Sequence, residues 1–259
     1  MSEFIKKFLG SERWHALAVA LKETISADRP PAVSTAWVFF ALTVAAIPIL
    51  STFVDELRPA GSPPTIYPTV AFGVCAVVAF LAREHLALGP ASRLNWRKSL
   101  SLTHTAVALG CIPAVVVIIL FPNLLAERHD TLMASTPLGG GGAGGAKVST
   151  TAIAGVVVAL AAWVAVTEEL IFRGLLVSAV RRWHFFRSPL VRDTAAVAIS
   201  ALLFGVAHWA TWGTGAAIAL TGLGIGFGVA FVANGEQLLP LILYHFVFDC
   251  LSIAVSIYS

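Results

Sequence analysis

Charged side chains are scarce in this sequence of 259 residues. Asp, Glu, Lys and Arg account for 12% of it and hydrophobic residues for 58%, whereas charged residues make up about a quarter of a soluble domain. This balance excludes an ordinary soluble protein and predicts an all-α, polytopic helical membrane protein. The net charge of +3 is too small to indicate a nucleic-acid partner. Because the composition predicts a membrane protein, membrane lipid is the first partner that we expect.

Several motifs with a known chemistry are also missing. The cysteines Cys75, Cys111 and Cys250 lie in apolar segments without CxxC spacing, which argues against disulfides and against a cysteine metal cage. The sequence contains no HExxH zinc motif and no GxSxG serine motif. Residues 1–29 lack the continuous apolar core of a cleavable signal peptide.

The apolar residues are grouped in runs that approach the length of about 20 residues needed to cross a membrane. We expect about seven transmembrane helices. The fourth should continue as helix to about Arg182, because nothing breaks it before His184–Pro189. The predicted spans are Ser34–Val54, Ile66–Ala82, Leu102–Phe121, Thr151–Val166, Val191–Ala207, Gly215–Ala233 and Leu238–Ile257.

The sixth run contains glycines at a spacing of four residues, Gly222 with Gly226 and Gly224 with Gly228. No strand precedes them, so a dinucleotide-binding loop is not indicated. Small residues four apart predict a face on which helices pack closely in the membrane.

Charge and composition divide the chain into three regions. Residues 1–30 are an N-terminal segment in which Ser2–Ile25 predicts an amphipathic helix on the cytoplasmic membrane surface. Residues 31–147 hold three spans and end in the glycine-rich loop Gly139–Gly145, and residues 148–259 hold four spans. The alternation of basic and neutral connections places the N-terminus in the cytoplasm. The compact chain, without targeting signals, favours a bacterial inner membrane.

The most informative residues lie at the end of the fourth run. Glu168, Glu169 and Arg173 follow a long apolar stretch, and an ionisable group at bilayer depth costs about 2.5–3.5 kcal/mol or more. On an α-helix Glu169 and Arg173 share a face and can pair, whereas Glu168 points about 100° away. We predict that Glu168 is the reactive group and that Glu169 and Arg173 support it.

Two of the seven histidines lie inside apolar runs. His208 ends the segment Phe204–His208, directly after the span Val191–Ala207. His245 precedes Asp249 by four residues, so His245 and Asp249 share a helix face. His208 and Glu168 lie at similar distances from the predicted cytoplasmic side, which permits a shared site. The other histidines are expected to be interfacial or solvated: His15, His85, His104, His129 and His184.

Glutamate and histidine together suit hydrolysis of a peptide bond. A carboxylate shielded from bulk water is a competent general base, and an imidazole can share the water or donate to the developing oxyanion. Glu168, His208 and His245 could instead bind a divalent metal such as zinc. Each residue comes from a different run, without metal-ligand spacing, so the favoured prediction contains no metal or other cofactor.

These residues resemble the motifs of the CPBP family, the CAAX-protease and bacteriocin-processing intramembrane peptidases, also called Abi proteins. The family pattern is EExxxR, FxxxH and HxxxN or HxxxD on three helices. Here it reads Glu168–Arg173, Phe204–His208 and His245–Asp249, and the resemblance covers roughly Thr151–Ile257.

The resemblance implies an intramembrane endopeptidase that cleaves a membrane-anchored or lipid-modified protein. In that family pattern, Glu168 with His208 activates the water and His245 with residue 249 stabilises the oxyanion. An ionised Asp249 cannot donate a hydrogen bond, so it departs from members with asparagine there. It would have to be protonated, orient His245 or join a metal site. The family is often labelled metalloprotease, so the zinc alternative stays open. The catalytic residues implied are Glu168, His208, His245 and Asp249, supported by Glu169 and Arg173.

Two other functions stay open at this stage. A non-proteolytic protein of the same fold could act as a membrane binding or immunity partner. A transporter could use Glu168 and Glu169 as a proton relay.

Overall fold

The apolar runs fold into helices because a chain in lipid must satisfy its backbone hydrogen bonds internally. The computed structural model describes residues 11–26, 33–57, 67–83, 95–120 and 150–258. Within these ranges the only β pairing is an isolated bridge between Val33 and Trp183, so the predicted all-α class is confirmed. The helices are α1 (Ser11–Ser26), α2 (Thr35–Glu56), α3 (Tyr67–Arg83), α4 (Trp96–Gly110), α5 (Ile112–Leu120), α6 (Thr150–Glu168), a π-helical segment (Glu169–Val177), α7 (Ser178–Arg181), α8 (Pro189–Ala233) and α9 (Leu239–Tyr258).

The predicted spans match several helices within two residues, namely the first with α2, the second with α3 and the last with α9. The third prediction, Leu102–Phe121, is wrong at its start, because the helix begins at Trp96. Asn95 caps it there, its side chain accepting a hydrogen bond from the Lys98 amide at 3.1 Å. The same run is interrupted at Cys111, between α4 and α5. The glycine-rich loop Gly139–Gly145 lies outside the described residues.

The earlier start of α4 changes the environment of His104. This residue was expected at a span end, but it lies two turns inside α4 and is only partly exposed. Its Nδ1 lies 3.0 Å from the Tyr244 hydroxyl of α9. His104 therefore lies in the contact between α4 and α9 and is not a solvated side chain at a span end.

The fifth and sixth predicted spans are the two halves of α8. They are separated by Gly213, which has φ 81° and ψ −179°, a backbone conformation that glycine adopts without steric cost. Beyond this corner the second half folds back along the first. A Cβ on Gly224 would lie 3.0 Å from the Ala201 Cα, and one on Gly228 would lie 2.9 Å from Val197 Cγ1.

The opposite face of the second half of α8 packs as closely on α4. A Cβ on Gly222 would lie 2.6 Å from the Gly110 oxygen, and one on Gly226 would lie 2.7 Å from the Ala106 oxygen. The absence of side chains thus lets the backbones of α4 and α8 touch. The predicted packing face is present, and there are two such faces. Gly222 and Gly226 pack on α4, whereas Gly224 and Gly228 pack on the first half of α8.

The N-terminal helix α1 covers Ser11–Ser26, and residues 1–10 lie outside the described part. Leu17 and Ala20 are buried, and α1 packs against α4 and α8. The predicted helix is therefore part of the bundle and not only a surface helix.

The outer faces of the bundle are apolar. Large side chains such as Phe39, Leu50, Leu81 and Leu251 are exposed, as expected for helices that face lipid. In the described part of the chain, three helical segments are long and apolar enough to cross a membrane, and two apolar helices are shorter. These are Thr35–Asp55, Trp96–Val116 and Pro189–Ala233, with Tyr67–Ala82 and Leu239–Ser252 as the shorter two.

One end of the bundle is tied together by buried charges. Arg181 makes two hydrogen bonds to Asp193, at 3.0 and 3.1 Å, and a third to Glu236 at 2.5 Å. Glu236 also accepts from Arg182 at 2.7 Å. This network joins the end of α7, the start of α8 and the connection to α9, and so fixes the helices that carry the candidate site.

Candidate active site

The candidate site lies where α6, α8 and α9 approach one another, and the imidazole of His245 is at its centre. The Nδ1 of His245 lies 2.9 Å from Glu169 Oε1, and its Nε2 lies 3.7 Å from Glu168 Oε2. Both carboxylates therefore reach one ring, although they are neighbours in sequence. An α-helix turns adjacent side chains about 100° apart. Here the helix widens to a π-helix from Glu169 onward, which reduces that divergence.

Glu169 and Arg173 form the deepest part of the site. Arg173 Nη1 donates to Glu169 Oε1 at 3.0 Å, and both side chains are 0% exposed. The same oxygen accepts from the Nδ1–H of His245. One carboxylate oxygen thus fixes both the guanidinium and the orientation of the imidazole.

Two aromatic rings enclose the Arg173 guanidinium. Its Cζ lies 4.5 Å from the ring centre of Phe204 and 5.3 Å from that of Phe227, within the range of cation–π attraction. Its Nε and Nη2 atoms have no hydrogen-bond partner among the described residues. The rings supply part of the stabilisation that hydrogen-bond acceptors would otherwise give. Phe227 also lies 5.0 Å from the His245 ring.

His208 enters from the first half of α8. Its Nδ1 lies 2.7 Å from the Phe204 carbonyl oxygen, so Nδ1 carries the hydrogen and donates it. In the neutral ring Nε2 is then an acceptor, and it faces Glu168 Oε1 at 3.5 Å. The geometry thus assigns the tautomer that can accept a proton or a water hydrogen bond.

Asp249 lies at the edge of the site, one turn beyond His245 on α9. Its Oδ1 is 3.6 Å from His245 Nε2, too long for a direct hydrogen bond, and its side chain is 22% exposed. The His208 side chain is 17% exposed, against 7% for Glu168. The site is therefore most open on the side of His208 and Asp249, and closed toward Glu169 and Arg173.

The structure brings together every candidate residue of the sequence analysis. Sequence reasoning missed three features: the π-helical segment, the ring of Phe227, and Ser200, which donates a hydrogen bond to the Phe172 carbonyl at 2.9 Å. Phe227 lies among the α8 glycines, and its position as an aromatic residue among small ones is the sequence feature that could have identified it. No pattern in the sequence marked the other two.

The donor set also bears on the metal alternative. Two imidazoles and a carboxylate are ligands that zinc accepts. In the described part of the chain, however, no group of three His, Cys, Asp or Glu side chains has the arrangement of a metal site.

The fold and site define a helical membrane protein with a buried cluster of acids and imidazoles drawn from three helices. The family model described as Type II CAAX prenyl endopeptidase Rce1-like matches residues 150–251. This segment contains all the candidate residues, and the resemblance to the CAAX-protease family is confirmed. Residues 150–251 are thus similar to that family. Searches of curated proteins and of solved structures returned no significant match.

Proposed function

We propose that the protein is an intramembrane endopeptidase in which Glu168 activates water. The observation that carries the proposal is the position of the Glu168 carboxylate between two imidazoles. Its Oε1 faces His208 Nε2 at 3.5 Å, and its Oε2 faces His245 Nε2 at 3.7 Å. The family match supports a protease, and the geometry suggests the role of each residue.

The two separations leave the groups available for a third partner. A direct N–H···O hydrogen bond is about 2.7–3.2 Å long, so neither imidazole is committed to Glu168. A water molecule near Glu168 Oε1 and His208 Nε2 can hydrogen-bond to both. We assign the attacking water to this position, on the more open side of the site.

The first step is attack by this water on the substrate carbonyl carbon. Its oxygen bonds to that carbon, one of its protons passes to Glu168, and the carbonyl electron pair moves onto the oxygen. His208 accepts a hydrogen bond at Nε2 from the remaining water hydrogen, which stays on the oxygen, and so orients the attack. Its Nδ1–H stays bound to the Phe204 carbonyl, which keeps the ring in place.

The oxyanion needs a donor in a site shielded from bulk water. We assign this role to His245. Its Nδ1–H donates to Glu169. In the doubly protonated ring Nε2–H faces Glu168 and Asp249 at 3.7 and 3.6 Å, too long for a direct hydrogen bond, so it is available to donate to the oxyanion. We assign Asp249 to orienting His245, since an ionised carboxylate cannot donate. The intermediate collapses when the C–N bond breaks and the leaving amine takes the proton from Glu168. One water is consumed, and an amine and a carboxylic acid are released, the acid then losing its proton to solvent.

The substrate that fits this site is a membrane-associated protein. The reactive groups lie on helices that pack within an apolar bundle, so a substrate held at the membrane reaches them most directly. We propose a lipid-modified or membrane-anchored protein, in keeping with the prenyl endopeptidases of the matched family. We also propose a cytoplasmic N-terminus and a bacterial inner membrane, and we place the catalytic region at residues 148–259.

The test is cleavage of a prenylated peptide by the purified protein in liposomes. Glu168→Gln should lower the rate by at least about a hundredfold, since a general base contributes on the order of 10²–10⁴. Glu23→Gln, at an exposed position of α1, is the matched control and should be fully active. Full activity of Glu168→Gln would refute the assigned base.

The same preparation separates the rival functions. A transporter predicts pH-coupled flux and no cleaved product. A binding or immunity protein predicts that Glu168, His208 and His245 variants keep their biological effect. Comparison of protein termini in membranes with and without the active enzyme would identify the natural substrate.

A further inference from the structure

Two serine hydroxyls contact backbone carbonyls of the widened turn that begins at Glu169. Ser200, in the first half of α8, donates to the Phe172 carbonyl at 2.9 Å, and Ser178 lies 3.5 Å from the Arg173 carbonyl. Both serines are buried, at 1% and 0% exposure. These carbonyls are consecutive and belong to the π-helical segment.

A π-helix is uncommon because its hydrogen bonds, from residue i to i+5, are less favourable than those of an α-helix. It persists where its surroundings hold it. The Ser178 amide donates to the Leu175 carbonyl, so the Arg173 carbonyl receives the Ser178 hydroxyl instead. Ser200 is the contribution from outside the helix, because it lies on α8 and ties that helix to the turn.

This turn decides where the two carboxylates point. With about 4.4 residues per turn, adjacent side chains diverge by about 80° rather than 100°. Glu169 reaches Nδ1 of His245 at 2.9 Å while Glu168 faces Nε2 at 3.7 Å. Return of the segment to α-helical geometry would rotate Glu168 away from the ring.

We propose that Ser200 is a positioning residue, whose hydroxyl holds the π-helical turn that sets Glu168 and Glu169 on the two nitrogens of His245. Ser200 does not touch the reacting groups and acts through the Phe172 carbonyl. The inference rests on the proposed peptidase function. It assigns a role to a residue outside the three motifs.

The test compares Ser200→Ala with Ser200→Thr in the full-length protein in liposomes. Loss of a buried hydroxyl that holds a carbonyl should lower kcat about tenfold and leave KM within about twofold, because the substrate-binding surface is unchanged. Ser200→Thr keeps a hydroxyl and should restore most of kcat. Ser51→Ala is the matched control, since the Ser51 hydroxyl bonds only within its own helix, to the Pro48 carbonyl at 2.6 Å.

Hydrogen exchange over residues 169–178 supplies a readout that does not depend on activity. Exchange there should rise in Ser200→Ala and not in Ser51→Ala. Unchanged kcat and unchanged exchange in Ser200→Ala would overturn the inference, and so would a threonine variant as slow as the alanine variant. Wild-type protein that cleaves no substrate would overturn the proposed function instead, while the exchange data would still decide whether Ser200 holds the turn.

Discussion

Removal of the Glu169 carboxylate is the perturbation whose cost the structure defines best. The Glu169–Arg173 pair is fully buried, with the Arg173 nitrogen and the carboxylate oxygen 3.0 Å apart. At an effective dielectric constant of about 20, two charges at that distance attract by about 5–6 kcal/mol. Much of this offsets the desolvation of both ions. Glu169→Ala leaves Arg173 charged, and two of its nitrogens already have no hydrogen-bond partner within the described chain.

We therefore expect Glu169→Ala to lower the free energy of unfolding by about 3–5 kcal/mol, as for other broken buried ion pairs. The double variant Glu169→Leu/Arg173→Met removes both charges and should recover most of that loss. The assay is equilibrium unfolding in mixed detergent micelles, arranged as a double-mutant cycle. Glu23→Ala, at an exposed site, should change stability by less than about 0.5 kcal/mol. A cost below about 1 kcal/mol for Glu169→Ala, or a double variant less stable than the single, would refute this reasoning.

Three further outcomes follow from other parts of the molecule. Gly226→Ala should destabilise the protein by about 1–3 kcal/mol, because its Cβ would lie 2.7 Å from the Ala106 oxygen. Gly155→Ala, which has open space around the new Cβ, should not destabilise the protein. Equal unfolding curves for the two variants would contradict the close packing. The Asp249→Asn variant should keep an activity within about tenfold of the wild type, since an amide can both accept from and donate to neighbouring groups. Complete loss of peptide cleavage in this variant would contradict the orienting role of Asp249. Prolonged treatment with a zinc chelator should leave the cleavage rate unchanged, and inhibition that added zinc reverses would favour a metal held by Glu168, His208 and His245.

Local patterns were sufficient to predict most of the fold. The hydropathy of the chain located α2, α3 and α9 within two residues, because a helix in lipid needs an uninterrupted apolar run. Prediction failed where a single side chain decided the boundary. Asn95 caps α4, whose first residue, Trp96, lies six residues before the predicted start. His104 therefore lies inside the helix, where it contacts Tyr244 of α9.

The candidate residues were predictable because ionisable groups are rare in apolar helices, which makes Glu168, His208 and His245 stand out. Their angular arrangement was not predictable. Regular helical geometry turns Glu168 away from Glu169, and the π-helical turn that reduces this divergence contacts, through the Phe172 carbonyl, a serine on another helix. A contact between distant parts of the sequence leaves no local pattern from which it could be predicted.

The glycine faces of α8 have a consequence for motion during turnover. The second half of α8 touches backbone on two sides, so it cannot slide or tilt without collision against α4 or against its own first half. By contrast, α9 packs mainly on α6 and α4 and touches α8 little. For the proposed peptidase we therefore expect the displacement that admits a polypeptide to fall on α9, which carries His245. Entry of the chain would then pull the imidazole from the acid, and only reclosure would reassemble the reacting groups.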